Sequence, residues 1–200
     1  AKPWIMLERK GVKIGVLGIT TEYTPYMVTA SSIEPFRMLS CVDTCCKYIP
    51  EMKAAGAQIT VLLAHIPFYI DGDVISGELV EVMEKIPEVD VCIGGHIPGD
   101  YAGLWNNTVV LKGGFGGASL PHVSFTFDTE SNCIVEKSCC VHQTDPNLKP
   151  LAVYKQYSDS VTAPFDDFFE KPLTYTDEFW NIRLSYETKL GNFLAQCVEE

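Results

Sequence analysis

The feature that most limits how this 200-residue chain can fold is a succession of three short apolar runs, separated by segments of helical length. Residues 12–19 (VKIGVLGI), 59–64 (ITVLLA) and 89–93 (VDVCI) are apolar at nearly every position, as strands buried on both faces require. Between the first two, Phe36, Leu39, Val42, Cys46, Ile49 and Met52 recur at steps of three and four. This spacing predicts a helix over 33–55, starting at Glu34-Pro35 and closed by Gly56, with Pro50 predicting a kink or a division into two helices. Val74, Leu79, Val82, Met83 and Ile86 predict a second helix over 74–86. Strand and helix alternating in this way make parallel βαβ units, so the fold class is α/β.

Beyond residue 100 the texture changes. Residues 108–112, 123–128 and 134–142 read as strands without helices between them, and Gly113-Gly114-Phe115-Gly116-Gly117 reads as a turn. From Asp145 onward Pro146, Pro150, Pro164 and Pro172 interrupt an acidic, aromatic stretch with room for a short helix over 154–161. A last helix over 183–198 carries the apolar stripe Leu184, Leu190, Phe193, Leu194, Cys197 and Val198. The expected division is therefore 1–144, a connector over 145–182, and 183–200 as the opening of a further domain.

Charge and composition remove several classes of function. A net charge of −11 excludes the basic face of a nucleic-acid binder, and no uncharged run approaches the ~20 residues of a membrane-spanning helix. Aromatic residues at 11% provide material for a packed core rather than a disordered chain. The eight cysteines contain no Cys-x-x-Cys pair, and the vicinal pairs Cys45-Cys46 and Cys139-Cys140 lack structural-zinc spacing. Asn106-Asn107-Thr108 is a glycosylation acceptor pattern at Asn106, which with the cysteines points to the secretory pathway or the cell exterior. Ala1-Lys2-Pro3-Trp4 runs into the charged Glu8-Arg9-Lys10 without a signal-peptide pattern, and reads as the interior of a longer sequence.

Two of the four histidines, His65 and His96, directly follow apolar strands linked by a helix. In an open parallel sheet both emerge at the carboxyl edge, where ligands bind, and neutral imidazoles there suit zinc, manganese or iron. Gly94-Gly95 before His96 lets the backbone turn sharply. His122 and His142, in later strands with no acidic cluster beside them, read as sheet-face histidines, and Asp71, Asp73, Asp90 and Asp100 read as solvated carboxylates. No nucleophile elbow, P-loop or dinucleotide fingerprint is present, so the catalytic residues are unassigned.

The succession GVKIGVLGIT, KAAGAQITVLLAHIPF, IPEVDVCIGGHIPG and NTVVLKGGFGGASL, followed by VSFTFD, resembles the second half of the catalytic domain of the 5′-nucleotidases. These are calcineurin-like dinuclear metallophosphoesterases. The tail RLSYETKLGNFLAQCV is similar to the start of the family's C-terminal, nucleoside-recognising domain. The resemblance implies a four-layer α/β/β/α sandwich, represented here by its C-terminal half. It also implies two divalent metal ions, zinc, manganese, iron or similar, that activate water against a nucleotide phosphate. Metal ions rather than lysines would then attract the anionic substrate.

By matching, His65 and His96 correspond to metal ligands, with Gly94 and Gly95 shaping the turn. Where the family places a His, Gln or Asn two residues after the Gly-His histidine, this chain has Pro98. The family's N-terminal motifs, which supply most ligands, have no counterpart here. The resemblance thus implies a nucleotide phosphohydrolase of nucleotide catabolism, incomplete in this chain, whose missing partner is the N-terminal half of the same domain. Alone, the chain is expected to bind metal in part at most. The alternative is a degenerate, non-catalytic binding or surface protein on the same scaffold.

Overall fold

A computed structural model describes residues 2–72, 74–181 and 186–199, in two compact units, Ala1–Asn147 and Leu148–Glu200. The first unit contains strands β1 (Trp4–Arg9), β2 (Val12–Thr20), β3 (Ile59–His65), β4 (Tyr69–Asp71), β5 (Val74–Ser76), β6 (Val91–Gly94), β7 (Tyr101–Trp105), β8 (Thr108–Lys112), β9 (Ser119–Asp128) and β10 (Cys133–Gln143). Its helices are α1 (Ala30–Ile33), α2 (Cys41–Ala54) and α3 (Glu78–Met83). The second unit contains α4 (Ala152–Phe169) and α5 (Lys189–Glu199).

The three apolar runs of the sequence form β2, β3 and β6, mutually parallel neighbours in a six-stranded sheet of order β1-β2-β3-β6-β8-β7. Strand β8 extends the parallel set, while β1 and β7 close the two edges antiparallel. One face of the sheet carries α2, whose Cys41, Cys45, Ile49 and Met52 pack with Leu17, Leu62, Cys92 and Val110. The other face brings Val91, Val109 and Leu111 against Val123, Phe125 and Cys139 of the β9–β10 hairpin. Strand β8 is covered on both sides and is buried at every residue, which explains the apolar run Val109-Val110-Leu111 at its centre. Helix, sheet and second sheet layer in this order give three of the four layers of the expected α/β/β/α sandwich.

Local chemistry sets several boundaries away from the predicted ones. The predicted helix over 33–55 is interrupted: α1 ends at Ile33, Phe36 and Leu39 are exposed in the following loop, and α2 starts only at Cys41. Ser40 decides this start, because its hydroxyl accepts the Asp43 N–H at 3.1 Å and so satisfies a donor that every helix start leaves open. Pro50 does not divide α2 and sits on its exposed face. The predicted helix over 74–86 begins as a strand, since Gly77 adopts φ 105° and separates β5 from α3.

Edge strand β1 escaped the apolar periodicity. It is made by a two-residue turn at Lys10-Gly11, both at positive φ, the geometry that matches the twist of a hairpin. In the second unit α4 runs 18 residues, through Pro164, where a shorter helix was expected. The expected helix start at Arg183 and Leu184 lies outside the described residues. α5 leaves Leu194 and Val198 exposed.

Replacing Ser40 by Ala removes the α2 cap and is expected to cost about 1 kcal/mol, seen as a fall of roughly 3 °C in the midpoint of thermal unfolding. Ser40→Asp, which restores the acceptor, should unfold within about 1 °C of the parent.

Candidate functional site

Parallel pairing sets the carboxyl ends of β2, β3 and β6 side by side, with Thr20 opposite His65 and Ala64 opposite Gly94. An open, shallow hollow over these ends is lined by Thr20, His65, Gly94 and Gly95. His65 is the last residue of β3 and is exposed; His96, two residues beyond β6, is half-buried. Their rings meet edge to face, with centroids 5.1 Å apart and planes at 76°. The structure therefore brings together two histidines that are distant in sequence.

Glycine is required in two ways at this turn. A Cβ on Gly94 would overlap the ring of Phe68, which is fully buried, and one on Gly95 would stand 3.3 Å from His65 Nδ1. His96 itself adopts φ 70°, a left-handed conformation that a non-glycine residue takes at a cost. The Ile97 N–H donates to the Gly95 carbonyl at 2.9 Å and closes a three-residue turn on His96.

A buried lysine holds the floor. Lys112, at the end of β8, is 2% exposed and donates from Nζ to the Phe68 carbonyl at 2.8 Å. The same ammonium lies 4.2 Å from the centre of the Phe68 ring, a cation–π contact. Burial pulls its pKa below the ordinary lysine value. Neither Phe68 nor Lys112 was recognisable in the sequence as part of the site: both sit among apolar residues, and their proximity arises from the pairing of β6 with β8.

Two of the acidic residues are engaged in hydrogen bonds, half-buried Asp90 and exposed Asp100. Asp90 accepts from the Thr60 N–H at 2.8 Å and hydroxyl at 2.9 Å, joining β3 to the start of β6. Asp100 accepts from the Ser119 hydroxyl and from the Gln143 amide at 2.7 Å, and Ser119 Oγ in turn accepts the Gly114 N–H at 2.7 Å. These bonds, the Ser119 one foremost, hold the Asp100 carboxyl below the usual carboxylate range. Asp71 is exposed in β4, and Asp73 lies outside the described residues. Asn106 is exposed at the β7–β8 turn, with φ 51°.

His65 and His96 offer two imidazole ligands, and Pro98 adds no donor. Among the described residues no third His, Cys, Asp or Glu joins them in a ligand-spaced group. A dinuclear centre needs more donors than this, so the side chains of this chain alone do not fit one.

The cysteines are all free thiols. Desolvation in the core pushes Cys41 up to about 11 and both Cys45 and Cys92 up to about 12, so these three are protonated packing residues rather than nucleophiles at neutral pH.

Gly94→Ala should destabilise the first unit by about 1–3 kcal/mol through overpacking, measured as a lowered urea midpoint. Combining it with Phe68→Leu should cost less than the sum of the single changes, because the two side chains compete for one volume. Asp100 has a depressed folded pKa, so its tie is intact above the ordinary carboxylate range and is lost as pH falls through the folded value. Amide protection factors over 113–119 should therefore fall on acidification below about pH 4, and Asp100→Ala should lower them at neutral pH and remove that dependence.

No protein-family model matches the chain. Among curated relatives, it is 28% identical over 139 residues to the cell wall protein Lmo0130 of Listeria monocytogenes, covering 63% of this chain and 18% of that protein. It is 27% identical over 204 residues to the trifunctional nucleotide phosphoesterase protein YfkN of Bacillus subtilis, covering 96% and 13%. The chain thus spans less than a fifth of the length of these relatives.

Among solved structures, a putative 5′-nucleotidase from Staphylococcus aureus superposes with a TM-score of 0.68 at 20% identity, over 96% of this chain and 38% of that one. Calcineurin-like phosphoesterase YfkN from Bacillus subtilis gives 0.67 at 17% identity, over 84% and 59%. The Thermus thermophilus sulfate thiohydrolase SoxB gives 0.75 at 17%, over 98% and 35%. The mixed α/β fold is that of the C-terminal part of the calcineurin-like phosphoesterase domain, and the resemblance read from the sequence is met by these neighbours.

Proposed function

Starting from a fold shared with the calcineurin-like phosphoesterases, we propose that this chain is the C-terminal part of a phosphohydrolase domain that releases phosphate from nucleotides. The pairing of His65 and His96 at the carboxyl edge of two adjacent parallel strands carries this reading. Each imidazole would supply one ligand to a divalent ion. When bound, such ions polarise phosphate oxygens and lower the pKa of coordinated water. Gly94 and Gly95 keep side chains out of the hollow, so that a phosphate can approach the strand ends. The further ligands would come from an N-terminal half of the same domain, because no third donor stands beside the pair among the described residues.

The division at 1–144, 145–182 and 183–200, with the last segment opening a nucleoside-recognising domain, belongs to the same reading. So does glycosylation at Asn106, which is exposed at a hairpin tip. A cell wall protein among the relatives supports an extracellular setting. Pro98 favours a second reading, in which the scaffold persists as a non-catalytic surface protein.

The test is divalent-metal content and AMP hydrolysis of the full-length protein. Hydrolysis with bound metal is expected, and His65→Ala or His96→Ala should each lower the rate by about 100-fold or more, as loss of a ligand to a catalytic ion does. Unchanged activity in both variants would overturn the proposal, and absence of both metal and activity from the parent would select the surface-protein reading.

A further inference from the structure

The β9–β10 hairpin has two faces of different character. Val123, Phe125 and Cys139 point inward to the six-stranded sheet. On the outward face the register sets Cys140 directly opposite His122, and His142 follows two residues along the same strand. All three side chains are exposed, and their ligand atoms lie within 4.8 Å of one another. Cys140 Sγ is 3.3 Å from His142 Nε2 and 4.0 Å from His122 Nδ1, and the two imidazole centroids are 5.6 Å apart.

These separations are those of a ligand set. With metal–sulfur and metal–nitrogen bonds of about 2.3 and 2.0 Å, tetrahedral geometry separates sulfur from nitrogen by roughly 3.5 Å. One observed spacing is slightly shorter and the other slightly longer. Small rotations of exposed side chains close the difference. A second feature orients one ligand: His122 Nε2 lies 3.4 Å from Ser124 Oγ. With its Nε2–H turned to the hydroxyl oxygen, the ring directs the Nδ1 lone pair toward Cys140, the outer-shell arrangement that fixes a metal-binding tautomer.

We propose that His122, Cys140 and His142 bind one zinc-class divalent ion, with water in the fourth position. One thiolate and two imidazoles suit zinc or cobalt and not magnesium or calcium, which prefer oxygen. Binding replaces the Cys140 thiol proton, which passes to solvent. The site shares no residue with the His65–His96 pair and does not depend on phosphohydrolase activity. Ligands on paired strands rather than in a Cys-x-x-Cys turn leave no spacing signature in the sequence.

Cobalt(II) added to the full chain under reducing conditions is the direct probe. A thiolate-to-cobalt charge-transfer band in the near ultraviolet should appear with intense tetrahedral visible bands and saturate at one equivalent. Zinc should bleach it and excess magnesium should not. Cys140→Ser should abolish the band, and His122→Ala and His142→Ala should each weaken affinity by about tenfold or more. Cys139→Ser, His65→Ala and His96→Ala should leave the band in place. Far-ultraviolet circular dichroism matching the parent establishes that the variants fold; all three proposed ligands lie on an exposed face. Failure of the folded parent to develop the band, or its survival in Cys140→Ser, would overturn the proposal.

Discussion

The contact on which the candidate site depends is the close approach of the Gly94 backbone to the Phe68 ring. Phe68 follows β3, Gly94 ends β6, and Lys112 ends β8 with its ammonium on the Phe68 carbonyl. Three segments of chain are thereby tied at one point beneath the strand ends. A side chain at position 94 would push the ring aside and disturb the turn that presents His96. A buried hydrogen bond of this kind contributes modestly when made but costs about 1–3 kcal/mol when one partner is removed. Phe68 and Lys112 therefore act on the histidines through packing and position.

The same tie bears on the electrostatics of an acidic chain at the proposed phosphate site. Acidic groups outnumber basic ones 26 to 15 in this chain, and Lys112 is buried and committed to the Phe68 carbonyl. Asp90 and Asp100 keep their carboxylates engaged in hydrogen bonds to neighbouring strands or loops. The hollow is faced by the His65 imidazole, glycine backbone and apolar side chains such as Leu63 and Ile93. This environment is suited to holding a cation, and the cation would attract the anion.

Much of the fold was legible in the sequence. Strands β2, β3, β6 and β8 all contribute to the core, β8 being covered on both faces, so burial favours apolar runs in them. Edge strands β1 and β7 were missed because each pairs on one side only; β1 carries the charged Glu8 and Arg9, and β7 is short and interrupted by Gly103. The helix boundaries were misplaced where one local interaction outweighed periodicity, at the Ser40 cap and at Gly77. Of the site, His65, Gly94, Gly95 and His96 stood out because small and polar residues at the end of an apolar strand are conspicuous. Phe68, Lys112 and the His122–Cys140–His142 group did not, since none carries a local pattern.

The sequence by itself determined the order of buried strands and which residues end them, because hydrophobic burial and turn chemistry act over a few neighbouring positions. Tertiary structure decided which strand ends lie together, which carboxylates are engaged, and which face of the β9–β10 hairpin gathers two imidazoles and a thiol. Those outcomes rest on pairing register between strands, and a shift of one residue would send Cys140 inward in place of Cys139. Register is set by the packing of the whole sheet, so it becomes visible only when the sheet is assembled.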